Sequence, residues 1–317
     1  MKIIPFDLNR NSKILVSGAG GGFDFLCGLS IILELEKMGH EVYVANYSFT
    51  DLQDVGEAKW HNANLLQITG DSYLKKGDYF PERYLAKWYR EIRKTEKSVW
   101  CFSRQGVIQT LESYNYLIDK FDIDVVICID GGIDGIFRGD EYDLGTPSMD
   151  SISVISTSLS KAATKIYACT AFGIEGAEGK VSHAQALNRM ADIIKLNGFL
   201  GIGVILKNND IGKTFYEAIH FIFSYLPSLQ RSIILSAILA SMDGAFGRTV
   251  VHEKTQYNPP WISPLTAMIW YFKAESVAQL KIFYQKAKNS SSVVEVVNAI
   301  EETRSQVDIK PYESIPI

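Results

Sequence analysis

Cysteine pairs are missing from this 317-residue chain: Cys27, Cys101, Cys128 and Cys169 stand far apart, with no C-x-x-C among them. That spacing argues against a structural zinc site and against a disulfide framework. Cys128 and Cys169 lie in apolar runs, where a free thiol reads as a small buried hydrophobe, and such usage points to a reducing compartment. The five histidines form no local pairing with a cysteine, so a Cys–His nucleophile has no sequence support. A charge surplus is also absent, since 32 Lys and Arg against 36 Asp and Glu leave a net charge of −4. The two signs are interspersed, which excludes the footprint of a nucleic-acid or anionic-membrane binder. The basic stretch Lys87 to Lys97 contains two glutamates and reads as the solvated face of a helix. Long hydrophobic runs are missing too. The longest, Ile233 to Met242 and Phe199 to Leu206, fall short of the ~20 residues a membrane helix needs. Residues Met1 to Lys13 lack the apolar core of a signal peptide, and a cytoplasmic location is expected. There is no Pro-, Gly- or Ser-rich linker, no internal repeat and no low-complexity tract.

What is present is an alternation of strands and helices. Lys13 to Val16 is a short apolar strand, Asp24 to Met38 has helical spacing, Gly39 is a stop signal, and Glu41 to Ala45 is the next strand. A helix over Gln105 to Phe121 leads to a strand over Asp124 to Ile129. A helix over Ser148 to Lys161 then precedes a strand over Lys165 to Thr170. His183 to Leu196 is helical, Phe199 to Leu206 extended, and two apolar helices follow within Gly212 to Met242. Two helices close the chain, Glu275 to Lys288 and Val293 to Arg304, the second announced by the capping box Ser292/Glu295. This pattern predicts an α/β fold: a Rossmann-like, mostly parallel sheet flanked by helices, with a helical C-terminal elaboration. A single domain over 1–317 is expected, with an irregular excursion at 47–100 and a mostly helical part at 207–317.

Two loops carry the candidate chemistry. In Ser17 to Asp24 (SGAGGGFD), Gly18, Gly20, Gly21 and Gly22 lie between a strand and a helix start, where backbone N–H groups can approach a ligand. The dinucleotide fingerprint is broken at Phe23, and the acid expected after the second strand is replaced by Asn46 and Tyr47. No Gly-Lys-Ser/Thr follows, which excludes a P-loop. Asp24 would repel a bare phosphate, so the loop suits a cation-bridged phosphate or a neutral polyol or amine. The second loop, Asp130 to Asp150, holds six carboxylates and five glycines immediately after a buried strand. Acids there are costly unless they bind water, a cation or ligand hydroxyls. The spacing is not that of an EF-hand, but Mg²⁺ needs only one or two carboxylates. Asp130 and Asp134 are therefore the expected metal or hydroxyl ligands, with Mg²⁺ as the cation. Asp140 and Glu141, together with Asp130, are the acid–base candidates. Gly131, Gly132, Arg138 and Thr146 join the ligand-binding set, with Thr146 also placed as N-cap and Pro147 at the first helical position. Solvated surface is the bland reading of Asp143 and Asp150, and it is favoured for Asp143. Both loops end strands of one layer, so they should meet at the crevice of the sheet.

The pattern D-G-G-x-D-x-x-x-R-G-D-E-x-x-L-G-T-P resembles that of domain-of-unknown-function family 1152. So do the G-A-G-G-G-x-D turn at Gly18 to Asp24, the Y-F-P-E segment at Tyr79 to Glu82, and the P-L-x-x-x-x-W element at Pro264 to Trp270. The chain departs from that pattern at Phe23 and at Ser148-Met149. The resemblance spans most of the sequence and implies a Rossmann-like α/β fold. The expected function is binding of a nucleotide, sugar phosphate or similar polar metabolite, with cation-assisted hydrolysis or transfer. The alternatives are a non-catalytic metabolite sensor and, third, an NAD(P)-dependent oxidoreductase. A small molecule is the expected partner, and self-association into a homo-oligomer is compatible with the sequence.

Overall fold

The computed structural model describes residues 2–77, 79–175 and 181–315. Nine strands form the main sheet: β1 (Lys13–Gly18), β2 (Glu41–Tyr47), β3 (Lys59–Asn62), β4 (Leu65–Ile68), β5 (Val99–Phe102), β6 (Val125–Asp130), β7 (Thr164–Cys169), β8 (Phe199–Val204) and β9 (Met268–Lys273). Across the sheet they run β8-β9-β7-β6-β1-β2-β5-β4-β3. The five central strands, β7-β6-β1-β2-β5, are mutually parallel, and the strands outside them pair antiparallel. The chain leaves β1 toward β2 on one side and later fills β6 and β7 on the other. The gap between the carboxyl ends of β1 and β6 is therefore the topological switch point of the sheet.

Helices cover both faces, which is why the central strands read as continuous apolar runs. Ile14, Val16, Val44, Ile127 and Ile129 face one layer, with Leu29, Ile32, Leu85, Phe215 and Ile219. Leu15, Ala45, Val126 and Cys128 face the other, with Tyr114, Leu117, Ile152, Ile155, Val277 and Val296. Fully burying side chains of this kind contributes on the order of 1.5–3 kcal/mol each.

The structure departs from the sequence reading in four places. The first helix divides at Gly28 into Asp24–Cys27 and Leu29–Lys37. A Cβ at Gly28 would lie 2.8 Å from Ile129 Cγ2 and 3.0 Å from Val16 Cγ1, so the helix could not approach the sheet otherwise. The helix expected over Glu275 to Lys288 divides at Lys281, between Ala274–Leu280 and Tyr284–Ala287. The part read as mostly helical, 207–317, also supplies β9, which inserts between β7 and β8. The excursion at 47–100 contributes β3, β4 and the helix Pro81–Trp88.

Candidate functional site

The switch point gathers carboxylates from four separate stretches of chain. Asp24 opens the helix after β1, Asp130 ends β6, Asp150 lies in the first turn of the helix Pro147–Leu159, and Asp134 and Glu175 belong to neighbouring loops. Oxygens of Asp24, Asp130 and Asp150 all lie within 4.8 Å of one another. Asp130, Asp134 and Asp150 are 3%, 3% and 2% exposed, while Asp24 and Glu175 are half-buried. Among the described residues none of the five forms an ion pair.

The glycines of both loops make room for these acids. A Cβ on Gly20 would collide with Asp150 Oδ1 and lie 2.8 Å from Asp24 Oδ2. One on Gly131 would lie 2.5 Å from Asp24 Oδ1, and one on Gly132 would collide with Glu175. Gly21 and Gly22 have φ of +100° and +62°, a turn that L side chains rarely adopt. The backbone N–H groups of Gly20 and Gly131 lie close enough to Asp24 to favour its charged form. Those two amides, expected to face a ligand, thus serve a carboxylate. Gly18 packs against Asn46 Oδ1 and the Phe25 amide. Asn46 donates to the Gly22 carbonyl (3.0 Å) and to the buried Glu82 (2.8 Å), and Thr50 Oγ1 donates to Glu82 (3.1 Å). The glycine turn and the Y-F-P-E segment are one braced unit.

Each acid has a different local role. Asp130 Oδ2 accepts from the Tyr167 hydroxyl (2.7 Å) and the Gly135 amide (3.1 Å). Asp134 Oδ2 accepts from the amide and hydroxyl of Thr146, at 2.7 and 3.2 Å, so Asp134 satisfies the start of the Pro147–Leu159 helix. Thr146 is the N-cap residue, as its position suggested, but its side chain makes no cap bond. Glu175 accepts from the Ile133 amide (2.7 Å) and lies beside Asp134, whose negative charge raises its proton affinity. Asp150 Oδ2 is buried with no hydrogen-bond partner. A carboxylate oxygen in that condition costs several kcal/mol unless it is protonated or meets a cation.

Electrostatics follow from this crowding. Burial, then Asp134, push Asp130 up to about 7, against the opposing pull of Tyr167, Gly135 and Lys281. Burial and the neighbouring acids hold Asp24, Asp150 and Glu175 well above the usual carboxylate range. The buried ammonium of Lys281 donates to the carbonyls of Gly135 (2.8 Å) and Phe137 (3.2 Å). Burial lowers its pKa to about 8 although Asp150, Glu141, Asp134 and Asp130 pull upward. One cation tied to carbonyls does not neutralise five acids.

The acid–base candidates Asp140 and Glu141 are engaged elsewhere. Glu141 is fully buried, accepts from the amides of Arg138 (3.0 Å) and Gly139 (2.8 Å), and pairs with Arg189 (3.4 Å). Asp140 pairs with Arg138 (3.6 Å) and Lys310 (3.1 Å). These bonds hold the turn at residues 138–141 and occupy Arg138, so that none of the three joins the carboxylate group at Asp24, Asp130 and Asp150. Sequence reasoning left Asp150 undecided and missed Glu175, Tyr167 and Lys281. A signal for Asp150 was present in its place in the first turn of a helix announced by Thr146-Pro147, close in sequence to the strand end at Asp130.

The model of the family described as Protein of unknown function (DUF1152) matches residues 15–309, from β1 to beyond the last helix. The chain belongs to this family. The match takes in both loops, Glu82, Glu175 and Lys281. No curated protein matches the chain. Among the described residues, no helix is long and apolar enough to cross a membrane.

Proposed function

We propose that this protein binds a divalent cation through Asp24, Asp130 and Asp150 and uses it to hold an oxygen-rich metabolite. A nucleotide or sugar phosphate, hydrolysed or transferred there, is the reading the geometry supports best. The observation that carries it is the convergence of three carboxylates within 4.8 Å, with Asp150 Oδ2 buried and unpartnered. Opposed ligand oxygens around Mg²⁺ stand about 4.2 Å apart and around Ca²⁺ about 4.8 Å, from bond lengths of about 2.1 and 2.4 Å. Three oxygens within that limit can share one hard cation of either size. A bound cation would polarise a ligand oxygen and lower the pKa of a coordinated water. Glu175, half-buried and with its proton affinity raised by burial, takes the acid–base role in this scheme. The dinucleotide reading loses ground, because the acids of Asp24 and Asp150 pack against Gly20, where a pyrophosphate would approach the turn.

The test is calorimetric titration of Mg²⁺, Mn²⁺ and Ca²⁺ into the wild type and Asp150→Asn, followed by turnover of nucleotide and sugar-phosphate panels with the preferred ion. Cation binding lost in Asp150→Asn supports the centre, and equal heats in both proteins reject it. Binding of a panel member without turnover would make the protein a metabolite sensor.

A further inference from the structure

The carboxyl ends of β2 and β5 border a polar cavity of about 230 Å³, lined by Ser48, Thr50, Asp51, Leu52, Gln53, Ser103, Arg104 and Gln105. It lies on the same edge of the parallel sheet as the carboxylates, because β1, β2 and β5 are consecutive parallel neighbours. Two strand spacings of about 4.8 Å separate the end of β1 from the end of β5, a span of about 10 Å. The cavity is rich in unspent donors. Arg104 is exposed, and its guanidinium makes no ion pair or hydrogen bond with the described residues. The Ser103 hydroxyl and the side-chain amides of Gln53 and Gln105 likewise have no partner among the described residues. Tyr47, close enough for its phenol to feel the charge of Arg104, donates to the Gln105 carbonyl (2.7 Å) and steadies the backbone there.

The other polar groups of the cavity are committed in part. The Asp51 carboxylate accepts from the Gln53 amide at 3.2 Å, as the cap of a short turn. The Thr50 hydroxyl is shared between Glu82 (3.1 Å) and the Tyr79 carbonyl (3.3 Å), and Ser48 accepts from the Thr50 amide (3.1 Å). Beside the second Asp51 oxygen, which accepts no hydrogen bond from the described residues, what remains is a guanidinium fork, two amides and a hydroxyl, donors that match a phosphate.

We infer that Arg104, with Ser103, Gln53 and Gln105, forms a phosphate subsite for the far end of the ligand whose other end rests on the carboxylate-bound cation. The ligand class is then a phosphate monoester of a polyol, long enough to reach from the end of β5 to the switch point. This inference rests on the cation reading above, but the two fail separately.

The experiment uses the full chain, with thermal shift and calorimetry on the wild type, Arg104→Gln and Asp150→Asn. The probes are inorganic phosphate, ribose 5-phosphate with Mg²⁺, Mg²⁺ alone, and acetate at matched ionic strength. Wild type and Asp150→Asn should both respond to inorganic phosphate and not to acetate, while Arg104→Gln should lose that response and keep the one to Mg²⁺. Loss of the charge-assisted bonds should weaken ribose 5-phosphate by about 10- to 100-fold in Arg104→Gln. A phosphate response that is absent from the wild type, equalled by acetate or unchanged in Arg104→Gln overturns the subsite. Absence of any cation response alongside an Arg104-dependent phosphate response would overturn the cation centre and leave the subsite standing.

Discussion

Asp130, Asp134 and Asp150 are carboxylates of one buried cluster, yet their hydrogen bonds predict different fates on substitution. Asp150 Oδ2 has no partner, so Asp150→Asn should raise the melting temperature of the cation-free protein by relieving like-charge repulsion, while abolishing the cation response. A lower cation-free melting temperature with the cation response intact would make Asp150 a structural residue. Asp134 accepts the Thr146 amide at the head of a helix, so Asp134→Ala should cost roughly 1 kcal/mol in urea unfolding. The pH dependence follows from Asp130. Its pKa of about 7 in the folded chain exceeds the ordinary value near 3.9, so the native state holds an extra proton between the two. The stability from this group is complete below about pH 4 and lost as pH rises through about 7. The melting temperature without cation should therefore fall between pH 5 and 8, and the gain from added cation should grow over that interval, because cation and proton compete. A cation-induced gain that shrinks with rising pH would contradict this.

Helices and turns show where local sequence signals end and packing begins. Thr146-Pro147 and Ser292 mark their helix starts as the sequence suggested, and the last helix spans Val293–Arg304 as expected. The capping box is only half formed. Ser292 Oγ accepts the Glu295 amide, but the Glu295 carboxylate accepts from the amide and hydroxyl of Ser291 and not from the Ser292 amide. The breaks at Gly28 and Lys281 were not legible, since each is set by a distant partner: the side chains of Ile129 and Val16 for one, the Gly135 and Phe137 carbonyls for the other. The glycine turn was legible as a close approach, but not for what approaches it. Gly20→Ala tests that point, because its Cβ would displace Asp150 and Asp24. The folded variant should lose its cation response, read by calorimetry, even though no ligating side chain has changed. Retention of full affinity would mean the turn is not packed against the acids.

At the scale of the whole molecule, the edge strand β8 is covered by the N-terminal segment. Ile3 and Ile4 are buried, and their amides donate to the buried Glu34 at 3.1 and 2.6 Å. Gly203 packs against the Ile3 backbone and Gly201 against Pro5. Glu34→Ala should orphan two buried donors, at about 1–3 kcal/mol for each that stays buried. Urea unfolding with hydrogen exchange at residues 3–8 would read this, and an unchanged midpoint with protected amides would show that Glu34 does not anchor the segment. The sequence by itself determined the α/β alternation and the placement of two glycine- and acid-rich loops after β1 and β6, because period, turn chemistry and strand composition are local properties. It did not reveal β9, a strand reached from the far end of the chain whose partners β7 and β8 lie some 70 to 100 residues earlier. Nor did it separate Asp150 and Glu175, which join the cluster, from Asp140 and Glu141, which do not. That choice depends on Arg189, Lys310 and Lys281, side chains that only the folded sheet and its covering helices bring alongside the loop.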